Sequence, residues 1–252
     1  MSAAQGWVDY SVDGSVALVT VQRPDKLDCL TPFMLDQLER IAQRVDGTAA
    51  LRCVILSGAG TRAFCAGADI DAWSDLPPLE MWRSWVRRGH KVFDSWARMR
   101  VPSVAAINAH ALGGGLELAA ACDLRVAAEG ASFGLPEASI VTCPGWSGTQ
   151  HRVGLFGAAQ VKYLALSGRR WAAAQALRHG LIHELAGADG VLDAARALAA
   201  DVGRLAPVAV QLTKQVIDAG RGDALAVTLE AMAGALSAHT ADASAGGAGF
   251  SH

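Results

Sequence analysis

The chain has 252 residues, 52% hydrophobic and 18% charged, with a formal net charge of -2, which is long enough for one large core. Its basic runs are no longer than Arg87-Arg88 and Arg169-Arg170, which argues against a nucleic-acid partner; those pairs read as solvated or phosphate-binding. No stretch reaches the roughly 20 apolar residues of a membrane span, and Met1-Ser-Ala-Ala-Gln-Gly-Trp lacks the basic and apolar regions of a signal peptide, so the expected location is cytoplasmic.

In chain order, strands are expected near Val16 to Val21, Leu51 to Leu56 and Ser103 to Ile107. Helices are expected over Pro32 to Val45, Pro78 to Met99 and Gly157 to Leu166. The alternation defines an α/β chain. After about Arg169 the sequence turns alanine-rich and helical, through Ala172 to His179, Val191 to Leu205, Val208 to Ala219 and Ala224 to Ser237, and ends in the linker-like Ala243-Ser-Ala-Gly-Gly-Ala-Gly. This divides the chain into a core domain, 1–190, and a C-terminal helical segment, 191–252.

Two glycine-rich turns follow apolar strands. The run Leu51-Arg-Cys-Val-Ile-Leu-Ser leads through Gly58-Ala-Gly to Phe64-Cys-Ala-Gly-Ala-Asp-Ile70, and Pro102-Ser-Val-Ala-Ala-Ile-Asn leads to Gly113-Gly114-Gly115 and the helical Leu116-Glu-Leu-Ala-Ala-Ala-Cys. Glycine admits a substrate oxygen close to the main chain, and unpaired N–H groups at a helix start favour negative charge. Two such turns supply the donor pair that an enolate needs. Glu117 stands three residues beyond Gly114 and so shares its helix face. Glu137 follows Pro136, which holds Leu135 extended and suits a helix start. The two carboxylates point to acid/base chemistry on an acyl group.

Plainer readings exist for each feature. A mid-helix Glu117 pairs with Arg125 or a lysine, although its leucine and alanine neighbours argue against solvation. Glu137 complements a helix dipole, and a lone glycine triplet marks a turn or close packing. Trp73, Trp82, Trp85 and Trp96 recur near helical spacing, so core packing is the default. Cys29, Cys53, Cys65, Cys122 and Cys143 form no Cys-x-x-Cys pair and read mostly as buried hydrophobes. His90 and His110 read as structural or surface residues, and no metal is expected.

With Arg23-Pro24, Ala66-Gly-Ala-Asp-Ile70, Ala111-Leu-Gly-Gly-Gly-Leu-Glu117, Phe133-Gly-Leu-Pro-Glu137 and Pro144-Gly-Trp-Ser-Gly-Thr-Gln150 in that order, the chain resembles the crotonase family, the enoyl-CoA hydratase/isomerase superfamily, from Val16 to about Phe250. The resemblance implies a spiral of ββα units, with the C-terminal helices packing a homotrimer or dimer of trimers. It implies a backbone oxyanion hole at Ala68 and Gly114, two carboxylates at Glu117 and Glu137, and a water-placing N–H at Gly145. It further implies coenzyme A contacts at Lys26, Leu27, Ala66, Ala68, Asp69, Ile70 and Gly114. Coenzyme A enters as part of the substrate, with no separate cofactor. Retention of both acids favours reversible hydration of a 2-enoyl-CoA over double-bond isomerisation.

Some positions depart from the family pattern. Asp28 stands where Arg-Pro-x-x-x-Asn is usual and adds a charge that needs a donor or solvent. Trp146 and Ser147 replace smaller residues, and the indole is expected to narrow the acyl pocket. Val141 stands where glycine is common and His151 where arginine is, and the chain lacks the basic tail of many relatives. Two readings from other classes compete. One is an acyl hydrolase, because Gly145-Trp-Ser147-Gly resembles part of a nucleophile turn with His110 or His151 as base. The other is a non-catalytic acyl-CoA binding protein.

Overall fold

The strands β1 (Trp7–Asp13) and β2 (Val16–Gln22) form an antiparallel hairpin in a computed structural model that describes residues 5–146, 155–219, 230 and 232. In β2, Ala17, Val19 and Val21 are buried and their neighbours half-buried, the period of a strand with one covered face. Helix α1 (Pro32–Gly47) starts where the Thr31 hydroxyl accepts the Met34 N–H, with proline in its first turn, as expected of a capped helix. It buries Leu35, Leu38, Ala42 and Val45.

From here the chain alternates between two sheets. β3 (Cys53–Gly58) extends the first sheet and β4 (Ala63–Cys65) opens the second. The short α2 (Pro78–Glu80), a π-helical turn (Met81–Val86) and α3 (Arg87–Ala97) follow. β5 (Ser103–Ile107) returns to the first sheet and β6 (His110–Leu112) to the second, leading into α4 (Gly114–Ala121); β7 (Leu124–Ala128) and β8 (Ser132–Gly134) repeat the step. Each strand–strand–helix turn thus adds one strand to each sheet, the spiral expected from the resemblance. After α5 (Ala158–Ser167), β9 (Arg170–Ala172) closes the small sheet antiparallel to β8, α6 (Ala173–Arg178) follows, and β10 (Glu184–Ala186) ends the large sheet parallel to β7. The large sheet has the order β1-β2-β3-β5-β7-β10 and the small one β4-β6-β8-β9.

Helix α7 (Val191–Gly203) packs on β3, β5 and β7 and buries Val191, Ala195 and Ala199, so the stretch after 191 contributes to the same core as the sheets. In α8 (Pro207–Ala219), the buried Lys214 reaches Asp123 at 2.7 Å, and Asp123 also accepts the Ser103 N–H and hydroxyl. Of the helix expected at 224–237 only Glu230 and Met232 are described, both helical, and the tail from Ala243 lies outside the described residues. Among the described residues, no helix is long and apolar enough to cross a membrane.

Local findings refine the sequence reading. The helix expected at Pro78 to Met99 contains the π turn. Trp85 and Trp96 enter the core, but Trp82 is 59% exposed and Trp73 is half-buried. Arg88 is half-buried; it pairs with Asp36 and donates to the Pro32 carbonyl, tying α3 to α1. Four of the cysteines are buried and Cys143 is exposed.

Candidate active site

Parallel pairing positions the first turn. Leu30 donates its N–H to the Gly67 carbonyl at 2.8 Å and accepts the Asp69 N–H at 2.9 Å, and in this parallel bridge the intervening Ala68 turns its own N–H the other way. The second turn starts where Gly113 donates to the Gly134 carbonyl at 2.9 Å. Gly114 is then the first residue of α4, whose N–H has no intrahelical acceptor. The turns touch: a Cβ built on Gly67 would lie 3.1 Å from the Gly114 nitrogen. The approach depends on Gly115, where a Cβ would fall 1.9 Å from the Cys65 carbonyl oxygen.

Every residue of α4 is buried, as a helix apolar on all sides must be, and this brings Glu117 inside. Its Oε1 accepts the main-chain N–H of Trp146 at 3.1 Å. Arg125, its alternative partner in the sequence, directs its guanidinium to the carbonyls of Leu181 and Cys122. Glu137 opens a 3-10 turn (Glu137–Ile140) directly after Pro136, and its Oε1 would lie 3.2 Å from a Cβ on Gly113. Ala68, Gly114, Glu117, Glu137, Gly145 and Trp146 all line one cavity of about 380 Å³. Donor backbone and two carboxylates on a mostly apolar wall form a site for polarising a carbonyl and moving protons beside it.

Of the other expected contacts, Ala66 and Ile70 line this cavity. Lys26 lies outside it in an exposed pairing with Asp71 at 3.8 Å, and Leu27 lines a second cavity of about 490 Å³. The Asp69 carboxylate turns to Arg23 at 2.8 Å, both side chains being buried. Asp28 finds the donors that its charge needs: its carboxylate accepts the N–H groups of Arg23 at 2.6 Å and Gly60 at 2.8 Å. Burial nevertheless pushes its pKa up, against the backbone hydrogen bonds that favour the ion. Leu27 and Asp28 are left-handed, with φ of 56° and 54°, and so is Val141, at 61° and 97% exposed.

Met81, Val86, His90, Ile140 and Cys143 also line the first cavity and were not anticipated, because the tryptophan spacing between 73 and 96 reads as core packing. His110 faces the Ser132 hydroxyl at 3.1 Å through Nδ1. Ser147 and His151 lie outside the described residues. Among the described residues, no group of three His, Cys, Asp or Glu side chains is placed to hold a metal ion.

Residues 11–250 match the enoyl-CoA hydratase/isomerase family. The short-chain-enoyl-CoA hydratase of Clostridium acetobutylicum is 36% identical over 208 residues, covering 82% of this chain and 79% of its own length. The (E)-benzylidenesuccinyl-CoA hydratase of Thauera aromatica is 36% identical over 215 residues, covering 85% and 83%. The crystal structure of an enoyl-CoA hydratase from Bacillus anthracis superposes with a TM-score of 0.91 at 33% identity, covering 98% of this chain and 95% of that one. The chain belongs to the enoyl-CoA hydratase/isomerase family, the crotonase superfamily.

Proposed function

We propose that this enzyme adds water reversibly across the double bond of a 2-enoyl-CoA thioester. The observation that carries this is the presence of both Glu117 and Glu137 in the cavity that Ala68 and Gly114 also line. The N–H groups of Ala68 and Gly114 hold the thioester oxygen and stabilise the enolate as charge develops there. Glu117, held by the Trp146 N–H, takes a proton from water as the hydroxyl adds to the β-carbon. Glu137 delivers a proton to the α-carbon, and proton exchange between the pair and solvent resets the site. The Gly145 N–H, on the wall of the same cavity, helps to place the water. The names of the relatives agree with this reading.

The test is mass spectrometry of enoyl-CoA thioesters incubated with the enzyme in ¹⁸O-labelled water. A product heavier by one labelled water, absent with Glu117→Gln and with Glu137→Gln, is expected. An unchanged mass with a moved double bond would make the enzyme an isomerase instead, and free acid a hydrolase.

The assembly proposed is a homotrimer or a dimer of trimers. Leu166, Leu205 and Ile217, 80%, 59% and 71% exposed on the C-terminal part of the subunit, support a partner surface there. Light scattering of the purified enzyme tests it, and a monomeric mass would overturn it.

A further inference from the structure

Trp146 is held on several sides. Its ring centroid lies 5.2 Å from that of Trp85, tilted by 49°, and 5.4 Å from that of Phe93, edge-on at 77°, and the residue is 3% exposed. One edge of the indole lies where a Cβ on Gly89 would fall 2.0 Å from Cδ1 and Nε1, and the opposite edge where a Cβ on Gly114 would fall 2.9 Å from Cε3. The ring therefore fills the space between α3 and the turn that opens α4, and neither backbone can close on it without a clash. Its peptide N–H meanwhile holds Glu117. The side chain that borders the acyl cavity and the amide that orients a carboxylate thus belong to one residue.

Resting on the enoyl-CoA reading above, we infer that Trp146 fixes the acyl class: its indole ends the cavity on the inside, so the enzyme takes compact acyl groups, short or single-ring, and rejects extended linear chains. A chain growing from a β-carbon beside Glu117 meets the indole after a few carbons. Backed by Phe93 and Trp85, the indole does not turn aside. The other direction runs out past Trp82 and Ile140, 59% and 42% exposed, where each further methylene stays in water and gains no burial. Flat groups fare better, because the remaining wall presents the apolar surfaces of Trp73, Met81 and Trp85, against which a ring stacks favourably.

The experiment compares crotonyl-CoA, cinnamoyl-CoA and trans-2-decenoyl-CoA as substrates of the wild type, Trp146→Leu and Trp146→Phe, with calorimetric binding of butyryl-CoA and decanoyl-CoA to the same proteins. In the wild type, kcat/KM for the decenoyl thioester is expected about 100-fold below that for the crotonyl thioester. Trp146→Leu is expected to raise the decenoyl-to-crotonyl ratio about 10-fold, a pocket effect of the size that one or two methylenes command. Trp146→Phe keeps an aromatic ring at this position and guards against a variant that fails to fold; it should shift the ratio the same way by less. A wild-type ratio near one, or a ratio unmoved in both variants, would overturn the inference. If no thioester turns over, the hydratase reading falls but the inference is still decided by binding: tighter decanoyl-CoA binding by Trp146→Leu than by wild type supports it, and equal binding sinks it.

Discussion

The main-chain N–H of Trp146 meets Oε1 of Glu117 at 3.1 Å, so the loop after Glu137 fixes a carboxylate that a different helix carries. A glutamine at 117 keeps an oxygen for this N–H but cannot take a proton from water. We expect Glu117→Gln to fold normally, to retain KM and to lose about 10²- to 10⁴-fold in kcat. Steady-state kinetics beside a thermal melt measure both. A loss confined to KM would remove the carboxylate from the chemistry.

Arg23 and Asp69 meet at 2.8 Å with both side chains buried, and Asp69 directly follows Ala68. Removing one partner strands the other charge inside, at a cost of about 3–5 kcal/mol. Asp69→Asn is therefore expected to lower the urea midpoint markedly and to reduce kcat as the Ala68 amide loses its fixed position. A variant as stable as the wild type would mean that the turn is anchored by its hydrogen bonds to Leu30 alone.

Val141 holds a left-handed backbone at φ 61° with 97% of its surface exposed, where a β-branched residue is strained. The left-handed region costs roughly 1–2 kcal/mol, and glycine gives back about 0.5–1 kcal/mol through the freedom of its unfolded chain. Val141→Gly should stabilise the protein by about 0.5–1 kcal/mol, read from chemical denaturation. A destabilised variant would show that the side chain makes a stabilising contact that outweighs the backbone strain.

Asp28 is fully buried and burial raises its pKa above the ordinary 3.8. A group whose folded pKa is raised binds its proton more readily when folded, so its contribution to stability is present below the unfolded value and is lost as pH rises through the folded one. The stability of wild type relative to Asp28→Asn should therefore fall as pH rises from about 4 towards neutrality and then level off. Paired urea titrations across that range measure the difference. A difference that grows in favour of wild type with rising pH would show that the hydrogen bonds from Arg23 and Gly60 outweigh desolvation.

Much of this arrangement was legible in the sequence, because it rests on local rules. The strand at Ser103 to Ile107 was read to the residue, Pro32 marked the start of α1, and Pro136 put Glu137 at the head of a turn. Side-chain destinations were less legible, because they depend on what arrives from elsewhere in the chain. Periodicity ranked Trp82 and Trp85 alike, yet the π turn leaves one in solvent and buries the other. Arg88 looked like half of a surface pair until α1 came beside it with Asp36. The Trp146 amide had no sequence signal at all, since its partner is 29 residues away.

The π-helical turn at Met81–Val86 makes the aromatic wall a matter of chain length as well as of side-chain identity. A π turn accommodates one residue beyond the α-helical count. Deleting one residue there would let the segment rewind as an ordinary helix with the residues on either side keeping their faces, so the change is confined to the side chains within the turn. Met81, Trp82, Trp85 and Val86 of that turn all line the first cavity, so its contour is open to change by a three-nucleotide deletion as well as by a point mutation.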